Sequence, residues 1–409
     1  MNTSAEQKCR PGRARLNELG FTLIDADNHY YEPHDAFTRY MEPVWRDRGF
    51  RWFTNEAGNR RLLIGDRLLR MIIDPTFERV AKPGALLEVF RNHGSADFGI
   101  AGQEVEPIRP EYRDRAARLA AMDRQGVERV WLFPTLGVVA EKLMNGDPAF
   151  IWASYRAFNR WLDEDWGFNH VDRIYAVPLF SLASVDAAVH ELEWVLSRGA
   201  RIIHLRPAPV PGLAHGRSLA DRAFDPFWAR VNEAGIAVTF HAGDSGYFES
   251  QSVDWGEMPN PPTHRISNFQ VVTCSYRPIF DTLAALVLHG LFERFPRIRV
   301  VSVELGCHWV PFLLKSLGHV KRRRDWVGLK GDPIEYFRRH VWVEPFAEEN
   351  VAALVDCIGA DRVVIGSDFP HVEGTAEPAA FLEEIGTLSP GVLQRIMREN
   401  ALELMAAPA

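Results

Sequence analysis

The chain has 409 residues, 46% apolar and 25% charged, which is the composition of an ordinary globular protein. One hydrophobic core organises so many residues only in a large α/β barrel. A net charge of −7 removes the electrostatic case for a nucleic-acid partner, and no apolar run reaches the roughly 18 residues that would make a membrane one.

Residues 1–20 are polar and basic without an apolar centre, so they read as a loosely attached arm and not as a secretory signal. The rest, 21–409, reads as a single domain. Short apolar, β-branched runs recur at 23–29, 129–134, 173–180, 200–207, 237–244, 299–306, 341–346 and 362–370. They lack the polar alternation of a sheet with one wet face, as expected of parallel strands covered on both sides. Amphipathic stretches separate them. Residues 114–125 carry Leu119 and Met122 and stop at Gly126; 184–198 carry Val189, Leu192, Val195 and Leu196 before Gly199; 218–234 stop at Gly235 and 347–358 at Gly359. Ser or Asp near the starts and Gly after the ends punctuate helices. Eight strands alternating with helices give a (β/α)₈ TIM barrel, with a doubly wound open sheet as the alternative.

Two segments exceed the minimal barrel. Residues of about 41–110 follow the first strand, with a small hairpin expected over 61–73 and a Gly/Pro-rich tail. Residues of about 245–277 follow the fifth and contain Pro259, Pro261 and Pro262. Both leave from strand C-terminal ends, where barrel active sites are built, and read as lids. Trp255, in the second, is a candidate pocket wall. The basic run at 321–324 reads as a solvated helix end. Cys9, Cys274, Cys307 and Cys357 show no paired spacing, which fits a reducing, cytoplasmic setting.

The chemistry concentrates at strand ends. In Asp25-Ala-Asp27-Asn-His29, residues two apart share a face, so Asp27 and His29 project together. Such a pair suits a divalent cation, although alone it reads more often as a turn or capping arrangement. His241 ends the fifth strand and Asp368 the eighth; alone, each also reads as a satisfied histidine or a helix cap. Three strand ends carrying ligand-capable groups on one barrel face are far more specific than any one of them.

The strand-end pattern, with Phe292-Glu-Arg-Phe-Pro-Arg-Ile-Arg-Val300, Gly366-Ser-Asp-Phe-Pro-His371 and Ile396-Met-Arg-Glu-Asn-Ala401, resembles the amidohydrolase superfamily. It is most similar to the branch of aminocarboxymuconate semialdehyde decarboxylase and γ-resorcylate decarboxylase, over residues 22–405. The resemblance implies one divalent metal on Asp27, His29, His241 and Asp368, with zinc the default and manganese or iron as alternatives. It also implies a homodimer or higher homo-oligomer and a small-molecule substrate. The branch places His-x-His or Glu-x-His at the first strand, so Asp27 is a departure. After strand six, where the branch has a catalytic histidine, stands Glu304, a candidate acid/base alongside Asp368 and His241. At strand four, where binuclear relatives carry a lysine, stands Ile202-Ile-His204-Leu-Arg206. Its lack of lysine favours one metal, and Arg206 and His204 become substrate-binding candidates, as does His371. Hydrolysis of a carboxylated or ring-derived substrate by an activated water is the leading expectation. Non-oxidative decarboxylation is the alternative, and a metal-free binding protein on a retired barrel is the rival of another class.

Overall fold

The computed structural model describes residues 11–86, 105–144, 146–211, 215–322 and 328–406. Its centre is a ring of parallel staves. The first, Leu23–Tyr30, pairs with the second, Val127–Pro134, and that with Ile174–Ala176. Beyond Pro178 the third stave resumes as Leu179–Phe180 and pairs with the fourth, Ile202–Leu205. The fifth (Ala237–His241), sixth (Arg299–Val303) and seventh (Val341–Val343) follow in order. Residues 363–369 fill the eighth place without forming a regular ladder. Val364 N–H donates to Val343 O (3.1 Å), Ala26 N–H to Ile365 O (2.9 Å) and His29 N–H to Phe369 O (2.7 Å), so the ring closes on the first stave. The expected TIM barrel is the observed fold.

Period-two alternation divides each stave between two cores. Ile24, Ala26, Trp131, Phe133, Tyr175, Val177, Ile202, Ala237, Val301, Val303, Trp342 and Val364 fill the barrel interior, and Ala401, Leu404 and Met405 of the closing helix (Asn400–Met405) pack against them. The alternate residues, such as Leu132, Ile203, Val238 and Val300, face the surrounding helices. Arg115–Gln125 begins at Asp114, whose side chain accepts from Ala117 N–H, and stops at Gly126 in the left-handed region. Two helices start later than their sequence periodicity suggests, at Asp225 and Val351. A short 3₁₀ turn, Arg222–Phe224, precedes the first, and the Asn350 side chain caps the second.

The insertions differ in detail from expectation. Arg60–Ile64 pairs with the preceding Phe50–Thr54 as well as with Arg67–Leu68, so a three-stranded antiparallel sheet replaces the hairpin. Much of the Gly/Pro-rich tail (87–104) and part of the basic run (323–324) lie outside the described residues. Of the expected arm, residues 1–10 lie outside them too, but Pro11–Leu19 is a helix whose Leu16 is buried and whose Arg15 donates to Gly386 O (3.3 Å). Asn268–Leu288 is long and apolar enough to cross a membrane by length and composition, contrary to the sequence reading. Here it is two helices, Asn268–Cys274 and Arg277–Leu288, and the second buries Ile279, Leu283, Leu286 and Val287 in the core.

Gly366 marks the closest approach in the ring. A Cβ there would lie 2.3 Å from both Asp27 Cβ and Glu344 Oε1. Gly366→Ala is therefore expected to destabilise the fold by about 1–3 kcal/mol, as overpacking does. Urea unfolding of the two proteins side by side would measure it.

Candidate metal centre

The first stave carries the irregularity that builds the site. Asp25 aligns with Val130 and Asn28 with Leu132, so one extra residue is accommodated between them. Such a bulge re-aims side chains. Ile24 and Ala26 face the barrel interior in the ordinary alternation; beyond the bulge Asp27 and His29 face it instead. Arg118, fully buried, braces this bend from behind by donating to His29 O (2.6 Å), Glu111 O (2.7 Å) and Asn28 Oδ1. Asp25 stitches it to the eighth stave, accepting from Ser367 N–H (2.8 Å), Ser367 Oγ–H (2.6 Å) and Asn28 Nδ2–H (2.8 Å). Burial pushes Asp25 up to about 6 despite these donors.

Four donor atoms then converge. His29 Nε2 and His241 Nε2 are 3.1 Å apart, and Asp27 Oδ1 lies 3.2 Å from each. Asp368 Oδ1 lies 3.3 Å from His29 Nε2. An ion with ligands at about 2.1 Å has ligand–ligand edges of about 3.0 Å when octahedral and about 3.4 Å when tetrahedral. Asp27, His29 and His241 thus present edges of a coordination polyhedron, and it is Glu304 that joins these three in one group with all ligand atoms within 4.8 Å of one another, whereas Asp368 groups with His29 and His371. His241 Nδ1 donates to the Ala242 carbonyl (2.8 Å), which turns Nε2 inward as the free donor atom. Burial opposes charge on Asp27, but the His241 and His29 rings hold it below the usual carboxylate range. His29 is pushed down to about 3 by burial and then by His371, whereas His241, against its burial, is raised by Asp27. Asp27 Oδ2 and Asp368 Oδ2 are buried without a hydrogen-bond partner.

Around this core stand the other predicted residues. Glu304 has φ +54°, outside the usual range for a side-chain-bearing residue, and its Oε2 lies 3.4 Å from His241 Nδ1. It is one wall of a cavity of about 190 Å³ that also touches Tyr276, His308 and Phe346. Burial, then Asp368, pushes its carboxyl well up. Asp368 also has φ +54° and is raised well above the usual range by burial first. His371 joins it, Nδ1 to Oδ1 at 2.7 Å. Arg206 Nε lies 3.5 Å from the buried Glu141, while its Nη1 is buried without a partner. His204 is buried in the barrel with its ring centre 6.3 Å from that of His241. Trp255 is 75% exposed, meets Phe269 in a tilted ring contact and is not part of the cavity wall.

Three participants escaped sequence reasoning. Glu344, at the end of the seventh stave, accepts from Glu304 N–H (2.8 Å); its period-two relation to Trp342 was the available signal. Thr135 bonds His371 Nε2 (2.8 Å) and donates to Tyr30 O (2.8 Å). Glu32 fixes the loop that carries Thr135 by accepting from Leu136 N–H and Gly137 N–H (both 2.9 Å).

Fold and site together define a metal-dependent barrel enzyme. A family model described as Amidohydrolase matches residues 24–405, and the chain belongs to that family. An amidohydrolase from Mycobacterium avium subsp. paratuberculosis K-10 is 40% identical, with a TM-score of 0.89 over 95% of this chain and 99% of its own. The 2-amino-3-carboxymuconate-6-semialdehyde decarboxylase of Dictyostelium discoideum is 24% identical over 206 residues, 48% of this chain and 53% of the relative, so the chain spans about half the length of that curated protein. The 5-carboxyvanillate decarboxylase of Novosphingobium aromaticivorans, solved with manganese and 4-hydroxy-3-methoxy-5-nitrobenzoic acid, shares the fold at 15% identity, with a TM-score of 0.54 over 95% of this chain and 97% of its own.

Protein purified without chelators is expected to hold about one divalent ion per chain at this centre, and His241→Ala to lower its affinity by tenfold or more, on the order of the cost of disturbing metal sites. Metal mass spectrometry after dialysis reads both. Glu32 offers a pH test. Burial raises it from 4.5 to about 7, so its protonated form fits the fold better. The stability it contributes is complete below about 4.5 and is lost as pH rises through about 7. Glu32→Gln keeps an acceptor oxygen without the charge, so its stability relative to wild type should improve across that window in parallel urea titrations.

Proposed function

We propose that the enzyme is a non-oxidative decarboxylase, removing CO₂ from a small aromatic or ring-derived acid with the help of one divalent ion. The observation that carries this reading is the 2.7 Å contact between Asp368 Oδ1 and His371 Nδ1. Thr135 Oγ–H is committed to the Tyr30 carbonyl, so Thr135 accepts from His371 Nε2–H. His371 Nδ1 then faces Asp368 Oδ1 at 2.7 Å, a contact that requires a proton on one side or the other. Burial raises the Asp368 carboxyl well above its ordinary range. The pair therefore shares a transferable proton, and decarboxylation needs a proton donor.

Asp27, His29 and His241 would hold the ion, which would supply Lewis acidity towards the oxygens of a bound carboxylate, leaving Asp368 beside it as the acid. Arg206, its Nη1 free of protein partners and its Nε steadied by Glu141, binds an anionic substrate group. His204 borders that position as a neutral ring, pushed well down by burial and then by His241. Asp368 delivers its proton to the carbon that loses CO₂. The C–C bond breaks, its electron pair stays on that carbon, and the proton takes that pair while His371 keeps Asp368 aligned. Glu304, on the cavity wall, is a second acid facing the substrate.

Hydrolysis, the leading expectation from sequence, asks instead for a deprotonated base to activate water. The protonated pair and the decarboxylase names of the relatives favour the other reaction. Two carboxylates with two imidazoles form a hard donor set, and the manganese of one structural neighbour supports that metal beside zinc. Free Cys274, Cys307 and Cys357 accord with a cytoplasmic setting, and the family resemblance supports a homo-oligomer.

Incubation with 2-hydroxybenzoates and carboxylated muconate analogues in ¹⁸O-labelled water separates the reactions. Release of CO₂ with no ¹⁸O in the organic product is expected, and Asp368→Asn should slow it by about 10²-fold or more. An ¹⁸O-labelled product formed without CO₂ would refute the decarboxylase reading.

A further inference from the structure

We propose that Phe346, locked by Glu349, closes the outer end of the substrate cavity and selects a single-ring acid whose substituent opposite the carboxylate is small, apolar and uncharged. The inner end of the cavity borders the metal centre. Ala242, next to His241, lines it, as does Glu304, whose Oε2 lies 3.4 Å from His241 Nδ1. The outer end lies at His308 and Phe346, the latter 39% exposed. A substrate whose carboxylate meets the metal lays the rest of its ring in this cavity.

Size and lining set the class. The walls are mostly rings and aliphatic groups, from Tyr247, Phe248, Tyr276, Pro278, Leu305 and Phe346. The Tyr247 hydroxyl donates to Asp281 Oδ2 (3.1 Å), which is not a wall residue, so Tyr247 offers the cavity its ring. A dry apolar cavity of about 150 Å³ holds one benzene. At about 190 Å³ this one takes a single ring with one small substituent, and a second ring overfills it. Among the described residues no lysine or arginine lines it, and Glu304 is the single carboxylate that does. A second carboxylate on the ring would lose its water there with no cation to meet it.

The outer wall is held in place by hydrogen bonds that do not involve the cavity. Glu349 accepts from Phe346 N–H (2.9 Å) on the turn after the seventh stave, and from Cys307 N–H (2.8 Å) and His308 N–H (2.9 Å) on the turn after the sixth. One carboxylate thus ties together the two turns that carry the outer wall. Gly306 leaves room for the Phe346 ring, since a Cβ there would come within 2.9 Å of Phe346 Cδ2 and Cε2. Phe346 therefore meets the far end of the substrate, and Glu349 is a positioning residue. This selection rests on the decarboxylase reading only in placing the substrate carboxylate at the metal; it is indifferent to which bond then breaks.

Calorimetric titration of the full, metal-loaded chain with benzoate and its 4-methyl, 4-phenyl and 4-carboxylate derivatives tests the selection. Benzoates without a ring hydroxyl resist loss of CO₂, so their binding is read apart from turnover. The 4-methyl compound should bind about fourfold tighter than benzoate, the gain from burying one methyl group. The 4-phenyl and 4-carboxylate compounds should bind about tenfold or more weaker than the 4-methyl one. Phe346→Ala should narrow the methyl–phenyl gap by about tenfold, and Glu349→Gln should narrow it less, with metal content unchanged. A 4-methyl compound no tighter than benzoate, a 4-carboxylate compound as tight as the 4-methyl one, or a methyl–phenyl gap unmoved by both Phe346→Ala and Phe346→Leu overturns the selection. So does a failure of all four to bind. The expected order of binding, from a chain that releases no CO₂ from the hydroxylated acids, overturns the decarboxylase reading and leaves the selection standing.

Discussion

The structure turns on one crowded contact: Asp27 Oδ1 within 3.2 Å of two imidazole nitrogens that are themselves 3.1 Å apart, all in side chains at most 1% exposed. Water cannot soften that contact, and an uncompensated charge there would cost several kcal/mol. The barrel accepts it because the staves that carry these groups are fixed independently of it. Backbone pairing holds His241 on the fifth stave, and Arg118 and Asp25 hold the bulge behind Asp27 and His29. The polar groups are pre-positioned by hydrogen bonds aimed away from the centre, so their free atoms face one another. That is the condition a cation relieves.

How much of this was legible depended on period. Staves repeat every two residues, and that rule placed the strand-end groups on one barrel face from sequence alone. It joined Asp27 with His29 but did not place them on the same side as Ile24 and Ala26, because the bulge between Asp25 and Asn28 reverses the alternation. Nothing local in Asp25-Ala-Asp27-Asn-His29 announces that reversal; Arg118, ninety residues later, braces it. Glu344 was overlooked although the same period marked it. Thr135 and Glu32 could not have been found this way, since they act through loop backbone whose path no periodicity encodes. Trp255 illustrates the opposite error. An aromatic in an insertion next to the site suggests a wall, but the turns from Phe248 to Trp255 leave its ring 75% exposed.

The two histidines that matter most outside the first stave show how one scaffold prepares different atoms. His241 gives its Nδ1 proton to a carbonyl one residue away and offers Nε2; His371 gives its Nε2 proton to Thr135 and offers Nδ1. In each case an oxygen that can only accept, or whose own proton is already placed, decides the tautomer. The choice for His371 runs back through Thr135 to the Leu136 and Gly137 amides held by Glu32. A buried acid that touches the loop amides thus steadies the residue that sets which nitrogen faces Asp368.

The same interdependence explains why strained backbone survives here. Glu304 and Asp368 both adopt φ +54°, a conformation costing about 1–3 kcal/mol for residues with side chains. Each is pinned by another part of the site. Glu344 accepts the Glu304 N–H, and Asp27 O accepts the Asp368 N–H at 2.9 Å while Asp25 takes that of Ser367. Gly366 is small enough to let Asp27 and Glu344 crowd against the eighth stave, which completes the lock. The acids thus fix one another's backbones as well as their charges. Residues that share partners in this way do not respond additively to substitution. Replacing Asp25 or Glu344, neither among the four converging donors, releases a strained turn and moves the carboxylate that turn presents. Their effects on the centre therefore belong to its geometry before they belong to its charge.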